Sequence, residues 1–218
     1  MSSAFWAGLG AIVLTNLLLS GDNAVVIAMA ARGLPAAQRK KAIALGSLAA
    51  IALRVVLTLV AVRLLGLPGL ELAGGALLLW IGAKLLSGGD APPDVAARPT
   101  AVAAAVRTIL VADLVMSLDN VLAVAAAARG DMPLLVTGLA LSIPLIVFGS
   151  TLLLEVMTRF PVIVAAGAAL LGWLGGQMMR SDPVLGQASD AAVRLAGGAG
   201  AVVVLAAGRW WRSARDRA

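Results

Sequence analysis

Seven apolar runs divide the chain, and short polar or Gly- and Pro-containing segments separate them. The runs cover residues 5–31, 42–62, 70–86, 101–128, 132–156, 161–179 and about 191–207. A helix needs about 20 apolar residues to cross the hydrocarbon core of a bilayer. The pattern therefore predicts an all-α polytopic membrane protein with seven transmembrane helices.

The two halves of the chain resemble each other. Arg32-Gly33 corresponds to Arg129-Gly130, and the apolar segments that end at Trp80 and Trp173 are similar. Each repeat holds three spans, so the second repeat must enter the membrane in the opposite sense, and inverted repeats place substrate sites near the midplane. We divide the chain into a first three-helix repeat, a hydrophilic linker, a second inverted repeat, and a seventh helix with a basic tail: 1–87, 88–100, 101–180 and 181–218.

Composition supports the membrane assignment and narrows the chemistry. The chain is 61% hydrophobic and 13% charged, whereas soluble domains average about 25% charged residues. Cys, His and Tyr are absent, which excludes thiolate or imidazole metal sites and any triad that needs Cys or His. Oxygen ligands remain, no P-loop pattern occurs, and we expect no enzymatic activity.

The net charge of +6 reflects topology and not nucleic-acid binding, because the basic residues lie between the apolar runs. Twelve Lys and Arg residues lie on one predicted side and four on the other. This asymmetry places the N-terminus outside and the C-terminus in the cytoplasm. The seventh helix lies outside the repeats, and we interpret it as a packing element or as the contact of a homodimer.

Two polar motifs interrupt the first and fourth runs. Each has Asn or Asp, three residues, Ser, one residue and then Asp-Asn, over 16–23 and 113–120. All three asparagines and three of the eleven acids lie in these motifs. An ionised carboxylate costs at least ~3 kcal/mol at the centre of a span, so three of them require a compensating partner.

Helical spacing brings the oxygens of each motif to one broad face, because positions seven apart nearly eclipse. Gly21 could loosen the first helix and free backbone carbonyls as further ligands. Together the motifs provide a hard-oxygen shell that suits Mg²⁺, Ca²⁺ or Mn²⁺. The predicted metal ligands are Asn16, Asp22, Asn23, Asp113, Asp119 and Asn120.

Four further residues are accessory candidates with simpler explanations. Ser20 and Ser117 are also suited to interhelical hydrogen bonds. Met116 leans towards the face of Asp119 and would favour Mn²⁺, although packing also explains it. Arg54 lies at mid-span and must pair. It either forms a structural ion pair with a motif carboxylate or neutralises the empty site, and protons on the carboxylates could do the same, giving cation/proton antiport.

The doubled motif resembles the TerC family of integral membrane proteins. Ser-Gly-Asp-Asn at 20–23 is followed by Arg-Gly-Leu-Pro and Gln-Arg-Lys-Lys, and Ser-Leu-Asp-Asn recurs at 117–120. The chain is most similar to the short YjbE-type branch within the LysE-like transporter superfamily. The resemblance implies export of divalent cations, chiefly manganese, and assigns the six Asp and Asn residues above to the ion site.

We therefore expect a manganese(II) exporter of the bacterial cytoplasmic membrane, with lipid and the ion as its partners and no cofactor. Mg²⁺ and Ca²⁺ stay open as cargo, as do the energy source and the direction. One alternative is an exporter of an amino acid or other small solute, for which Arg54 is the only cation inside a span. Another is a membrane partner that helps metallate secreted enzymes without transport.

Overall fold

The computed structural model describes residues 6, 10, 21–64, 68–88, 99–128, 132–215 and 217. Within these ranges the side chains of residues 21, 58–64, 99, 118–128, 132, 134, 135, 142 and 215 lie outside the description. The described residues form seven α-helices and one short 3₁₀ turn, with no strand among them. The helices are α1 Gly21–Ala31, α2 Ala36–Leu64, α3 Leu70–Ser87, α4 Pro99–Ala128, α5 Met132–Arg159, α6 Val162–Ser181 and α7 Asp190–Arg215.

The helices follow the apolar runs closely, and the described part of the chain is all-α as predicted. Five of them, α3 to α7, are long and apolar enough to cross a membrane. Large apolar side chains point outwards, and Leu195 on α7 and Phe148 on α5 are 75% and 71% exposed. Such faces are stable in lipid because lipid tails solvate apolar side chains as well as a protein interior does.

Helix ends differ from the ends of the apolar runs. The polar segment between the first two apolar runs predicts a loop, but Arg39, Lys40 and Lys41 of that segment lie in the first turns of α2. At the other end of the chain, α7 continues through Trp210 into the basic tail. The loop assignment was wrong because hydrophobicity marks only the part of a helix that crosses hydrocarbon. Lys and Arg are good helix formers and extend the helix into the interface.

The described segment of α1 occupies the middle of the bundle, where it contacts α2, α4, α5 and α6. Around it, α2 packs along α4, while α3, α6 and α7 pack against one another. Two clusters of buried apolar side chains fill the interior, one centred on α1, α2, α5 and α6 and the other on α3, α4 and α6. The first and fourth helices, which carry the two motifs, therefore meet inside the bundle.

Glycines allow α3, α6 and α7 to approach closely. A Cβ on Gly75 of α3 would overlap the carbonyl of Gly175 on α6, and one on Gly172 of α6 would overlap the carbonyl of Gly200 on α7. Small residues at helix contacts let backbones pack against each other in membranes. The glycine-rich face of α7 is thus used for packing within the chain, which is one of the two roles that we expected for it.

Asp182 directly follows α6 and connects it to the start of α3. Its carboxylate accepts hydrogen bonds from the backbone N–H groups of Val184 at 2.8 Å, Leu72 at 2.9 Å and Gly69 at 3.1 Å. Burial alone would raise the pKa of Asp182, but these donors and the N–H of Glu71 together hold the pKa below its ordinary value of 3.8. The contact connects the start of α3 to the end of α6 and caps the exposed N–H groups of α3.

Candidate metal site

The two motifs meet at a small cavity between α1 and α4. Asn23 from the first motif and Asp113 from the second line it, together with the apolar side chains of Val26, Ile27 and Ile109. Its volume is about 10 Å³, close to the smallest space that holds one water molecule. A polar amide and a carboxylate, one from each motif, therefore face the same small space.

Asn23 is the least satisfied polar side chain in this region. It is 3% exposed, and neither its amide oxygen nor its amide nitrogen has a hydrogen-bond partner among the described residues. An unsatisfied buried polar group costs about 1–3 kcal/mol. Most buried polar side chains have a hydrogen-bond partner, so the amide of Asn23 is available to a ligand that enters the cavity.

Asp113 is held by the buried arginine of α2. Arg54 Nη2 donates to Asp113 Oδ1 at 2.6 Å, and the two side chains are 2% and 6% exposed. Arg54 Nε also donates to Ser117 Oγ at 3.1 Å, and Ser117 Oγ donates to Asp113 Oδ2 at 3.2 Å. The expected ion pair of Arg54 with a motif carboxylate is present, and Ser117 acts as a hydrogen-bonding residue.

Asp22 opens towards a second, larger cavity. This cavity has a volume of about 250 Å³ and is also lined by Met116 of α4 and by Gln177, Met178 and Ser181 of α6. Asp22 Oδ1 accepts a hydrogen bond from the backbone N–H of Asn23 at 2.8 Å. Asp22 is also within electrostatic range of both Arg54 and Asp113. Asp22 thus lines the larger cavity and its neighbour Asn23 the smaller one.

The remaining predicted ligands lie outside what the structure describes. This holds for Asn16 and Ser20, and for the side chains of Asp119 and Asn120, whose backbone belongs to α4. Among the described residues, no three acidic side chains form a cluster that could bind a metal ion. The six-residue ligand set stays a prediction, and the described part brings together Asn23 and Asp113, with Asp22 adjacent.

Sequence reasoning missed the contribution of α6 to the larger cavity. The candidate residues did not include Gln177, Met178 and Ser181. In the sixth apolar run, only Gln177 and Trp173 have side chains that form strong hydrogen bonds. A lone amide within a span is a signal for an interior-facing position. The sequence therefore indicates that Gln177 faces the interior, but only the packing shows that α6 shares a cavity with Asp22 and Met116.

Comparison with known proteins gives the family. A family model described as "Integral membrane protein TerC family" matches residues 1–217. The chain belongs to the TerC family. The Uncharacterized membrane protein YjbE of Bacillus subtilis (strain 168) is 47% identical over 174 residues, which cover 80% of this chain and 79% of the relative. No solved structure matches. This TerC-family chain is therefore a multi-pass integral membrane protein.

Proposed function

We propose that this protein transports a divalent metal cation, manganese(II) in the first place, and that residues of both motifs bind the ion inside the membrane. One observation carries the proposal: the unsatisfied amide of Asn23 and the carboxylate of Asp113 line one cavity between α1 and α4. Amide and carboxylate oxygens are the ligands that hard divalent cations take in proteins. The TerC resemblance supports manganese as the cargo and export as the direction.

Arg54 takes the place of the ion in the resting protein. Its guanidinium neutralises Asp113 at a position where an unpaired carboxylate would be costly. An arriving dipositive ion would compete with Arg54 for the same oxygens, so that binding of the ion releases the arginine. This exchange keeps the charge of Asp113 neutralised both with and without the ion. The carrier has to change conformation in both states.

The larger cavity offers the ion a path to the site. It extends from Asp22 and Met116 to Ser181, the last residue of α6. Asp22 supplies a negative charge along this path, and the two thioethers of Met116 and Met178 are soft groups that bind manganese more readily than magnesium or calcium. We propose that the ion passes Asp22 between this cavity and Asp113.

We further propose seven spans arranged as two inverted three-helix repeats and a seventh helix, with the N-terminus outside the cytoplasmic membrane. The charge count of twelve against four supports this orientation. The close contact of α3 with α6, the third helices of the two repeats, fits a pseudo-two-fold arrangement. Protonation of the motif carboxylates is the proposed source of coupling. Manganese flux that does not respond to a proton gradient would exclude coupling to protons.

Uptake into proteoliposomes tests the proposal. The purified protein is expected to carry Mn²⁺ into vesicles, and Asp22→Asn to slow this uptake at least roughly tenfold, a typical effect of losing a group that supports a metal site. Glu155→Gln is the control, because Glu155 is an exposed acid on α5 outside both cavities. The panel includes Mg²⁺ and Ca²⁺.

Absence of uptake for all three ions by the wild-type protein would overturn the proposal. It would favour the solute carrier or the membrane partner of secreted metalloenzymes, and amino-acid uptake into the same vesicles would separate these two. Equal Mn²⁺ uptake by the wild type and Asp22→Asn would remove Asp22 from the path.

A further inference from the structure

A third cavity lies at the end of the bundle opposite to Asp182. It has a volume of about 530 Å³, and four arginines line it. Arg32 follows α1, Arg39 lies in the first turns of α2, and Arg209 and Arg212 lie near the end of α7. Three separate parts of the chain thus bring positive charge to one concave surface. The charge count predicts that this end faces the cytoplasm.

Two of the arginines are fixed by hydrogen bonds to the backbone. Arg32 Nη2 donates to the carbonyl oxygen of Gly88 at 2.5 Å. Arg39 donates from Nε to the carbonyl of Leu34 at 3.2 Å and from Nη2 to the carbonyl of Arg32 at 3.3 Å. These bonds hold the two guanidinium groups at the wall of the cavity, so the charges are in position before any ligand arrives.

The other two arginines are presented from a single helix. Arg209 and Arg212 are three residues apart on α7, a spacing that places both on one face, and both are exposed. Trp210 lies between them and is 67% exposed. Tryptophan is enriched where hydrocarbon meets the headgroups, so this part of α7 lies at headgroup depth.

The rest of the cavity wall is apolar and carries no opposing charge. No Asp or Glu of the described residues lines it, and besides the arginines Thr158 is the only polar side chain of the lining. Met157, Val164 and Leu86 form part of its apolar surface. The nearest acid along α5, Glu155, lies one turn before Thr158 and is not part of the wall. The cavity therefore combines four cations with an apolar surface.

We propose that this cavity binds the phosphate group of an anionic phospholipid. Guanidinium groups match phosphate oxygens in charge and in bidentate geometry, and basic pockets between transmembrane helices on the cytoplasmic side bind lipid headgroups. The apolar wall suits the glycerol and the upper acyl chain, which a free phosphate ion does not have. Bound lipid would link the end of α1 with α2, α3, α5, α6 and α7 at this end. The inference does not depend on the transported ion.

Lipid binding to the purified full-length protein, measured by native mass spectrometry, tests this inference. Phosphatidylglycerol is the probe, phosphatidylcholine the zwitterionic control and inorganic phosphate the control for a free anion. Arg209→Gln/Arg212→Gln is compared with Lys40→Gln/Lys41→Gln. The control pair changes the net charge equally, and its two lysines are exposed on α2 but do not line the cavity. The melting temperature in detergent without lipid establishes that both variants are folded.

The expected result is tight binding of phosphatidylglycerol that weakens roughly 10- to 30-fold in Arg209→Gln/Arg212→Gln, because two of the four guanidinium groups that contact the phosphate are lost. The lysine pair should bind within about twofold of the wild type, since Lys40 and Lys41 do not line the cavity. Equal weakening in both variants would show that general surface charge, and not the cavity, attracts the lipid, and it would overturn the inference. So would equal binding of phosphatidylcholine, or inorganic phosphate that binds while the lipid does not.

Discussion

Two helix contacts inside the same bundle are built in opposite ways. Where α3 and α6 cross, Gly75 and Gly175 bring the two backbones together, and α6 meets α7 through Gly172 and Gly200 in the same manner. Where α2 meets α4, the contact instead contains the ion pair of Arg54 with Asp113. The glycine contacts leave no room for another atom. The α2–α4 contact, in contrast, lies beside the small cavity and the amide of Asn23, which has no hydrogen-bond partner among the described residues.

The two kinds of contact have different roles, one structural and one in the candidate site. Close packing of small residues in lipid stabilises a fixed geometry, because dispersion contacts and not a hydrophobic effect hold the helices together. A buried ion pair contributes little net stability, since desolvation offsets the attraction. An ion pair at this depth in a membrane therefore points to function, and ionisable residues inside the membrane mark ion paths in transporters. The α3–α6–α7 contact supports the bundle, and we propose that the α1–α2–α4 region binds the ion.

The largest effect is expected from breaking the ion pair. Asp113→Leu leaves Arg54 buried without its carboxylate, and loss of one partner of a buried pair costs about 3–5 kcal/mol of unfolding free energy. The double variant Arg54→Leu/Asp113→Leu should regain most of that stability and still fail to transport Mn²⁺. Denaturation of the purified variants gives the first quantity and vesicle uptake the second.

A double variant that transports at the wild-type rate would show that the pair is purely structural. A double variant as unstable as Asp113→Leu would show that the pair is needed for folding itself.

The next effect concerns the glycine contact. Gly75→Ala puts a Cβ against the backbone carbonyl of Gly175, and overpacking of this kind costs about 1–3 kcal/mol. Gly149→Ala is the matched control, because a Cβ there meets nothing within 4 Å and alanine stabilises a helix by roughly 0.5–1 kcal/mol over glycine. Thermal unfolding of the two variants should therefore shift in opposite directions. Equal shifts would contradict the close approach of α3 and α6.

A smaller effect should change selectivity and leave stability nearly intact. Met116→Leu keeps the side-chain volume, so it should cost less than about 1.5 kcal/mol, but it removes a thioether from the larger cavity. The ratio of Mn²⁺ to Mg²⁺ uptake should fall severalfold. Met29→Leu is the control, since Met29 is buried in the apolar interior away from that cavity. An unchanged ratio would leave Met116 a packing residue.

The smallest effect should come from Asp182, outside the spans. Its pKa in the folded protein lies below the ordinary value of 3.8, so the charged carboxylate stabilises the fold above that pH, and the contribution is lost as the pH falls through the folded pKa. Asp182→Asn should melt about 2 °C lower than wild type at neutral pH, and the gap should close in acid. Asp190→Asn, at an exposed acid beginning α7, serves as control. A gap that is constant with pH would contradict the capping role.

The sequence predicted the helices well because each span must be about 20 apolar residues long, whatever its partners are. It also predicted that Arg54 needs an acid, since a lone charge in hydrocarbon is costly. The choice of Asp113 could not be predicted, because it depends on how α2 and α4 rotate against each other. The larger cavity and the place of Gln177 in its wall depend on packing in the same way. The basic start of α2 was misplaced because interface residues do not follow hydrophobic periodicity.

The most direct test of the shared ion site is the affinity of the purified protein for Mn²⁺, measured by equilibrium dialysis. Asn23→Ala removes a proposed ligand of the first motif, and Arg54→Leu/Asp113→Leu removes a proposed ligand of the second without leaving a buried unpaired charge. We expect one bound Mn²⁺ per chain and a dissociation constant at least roughly tenfold higher in both variants. A variant of either motif that binds Mn²⁺ with the wild-type dissociation constant would contradict a site shared by the two halves.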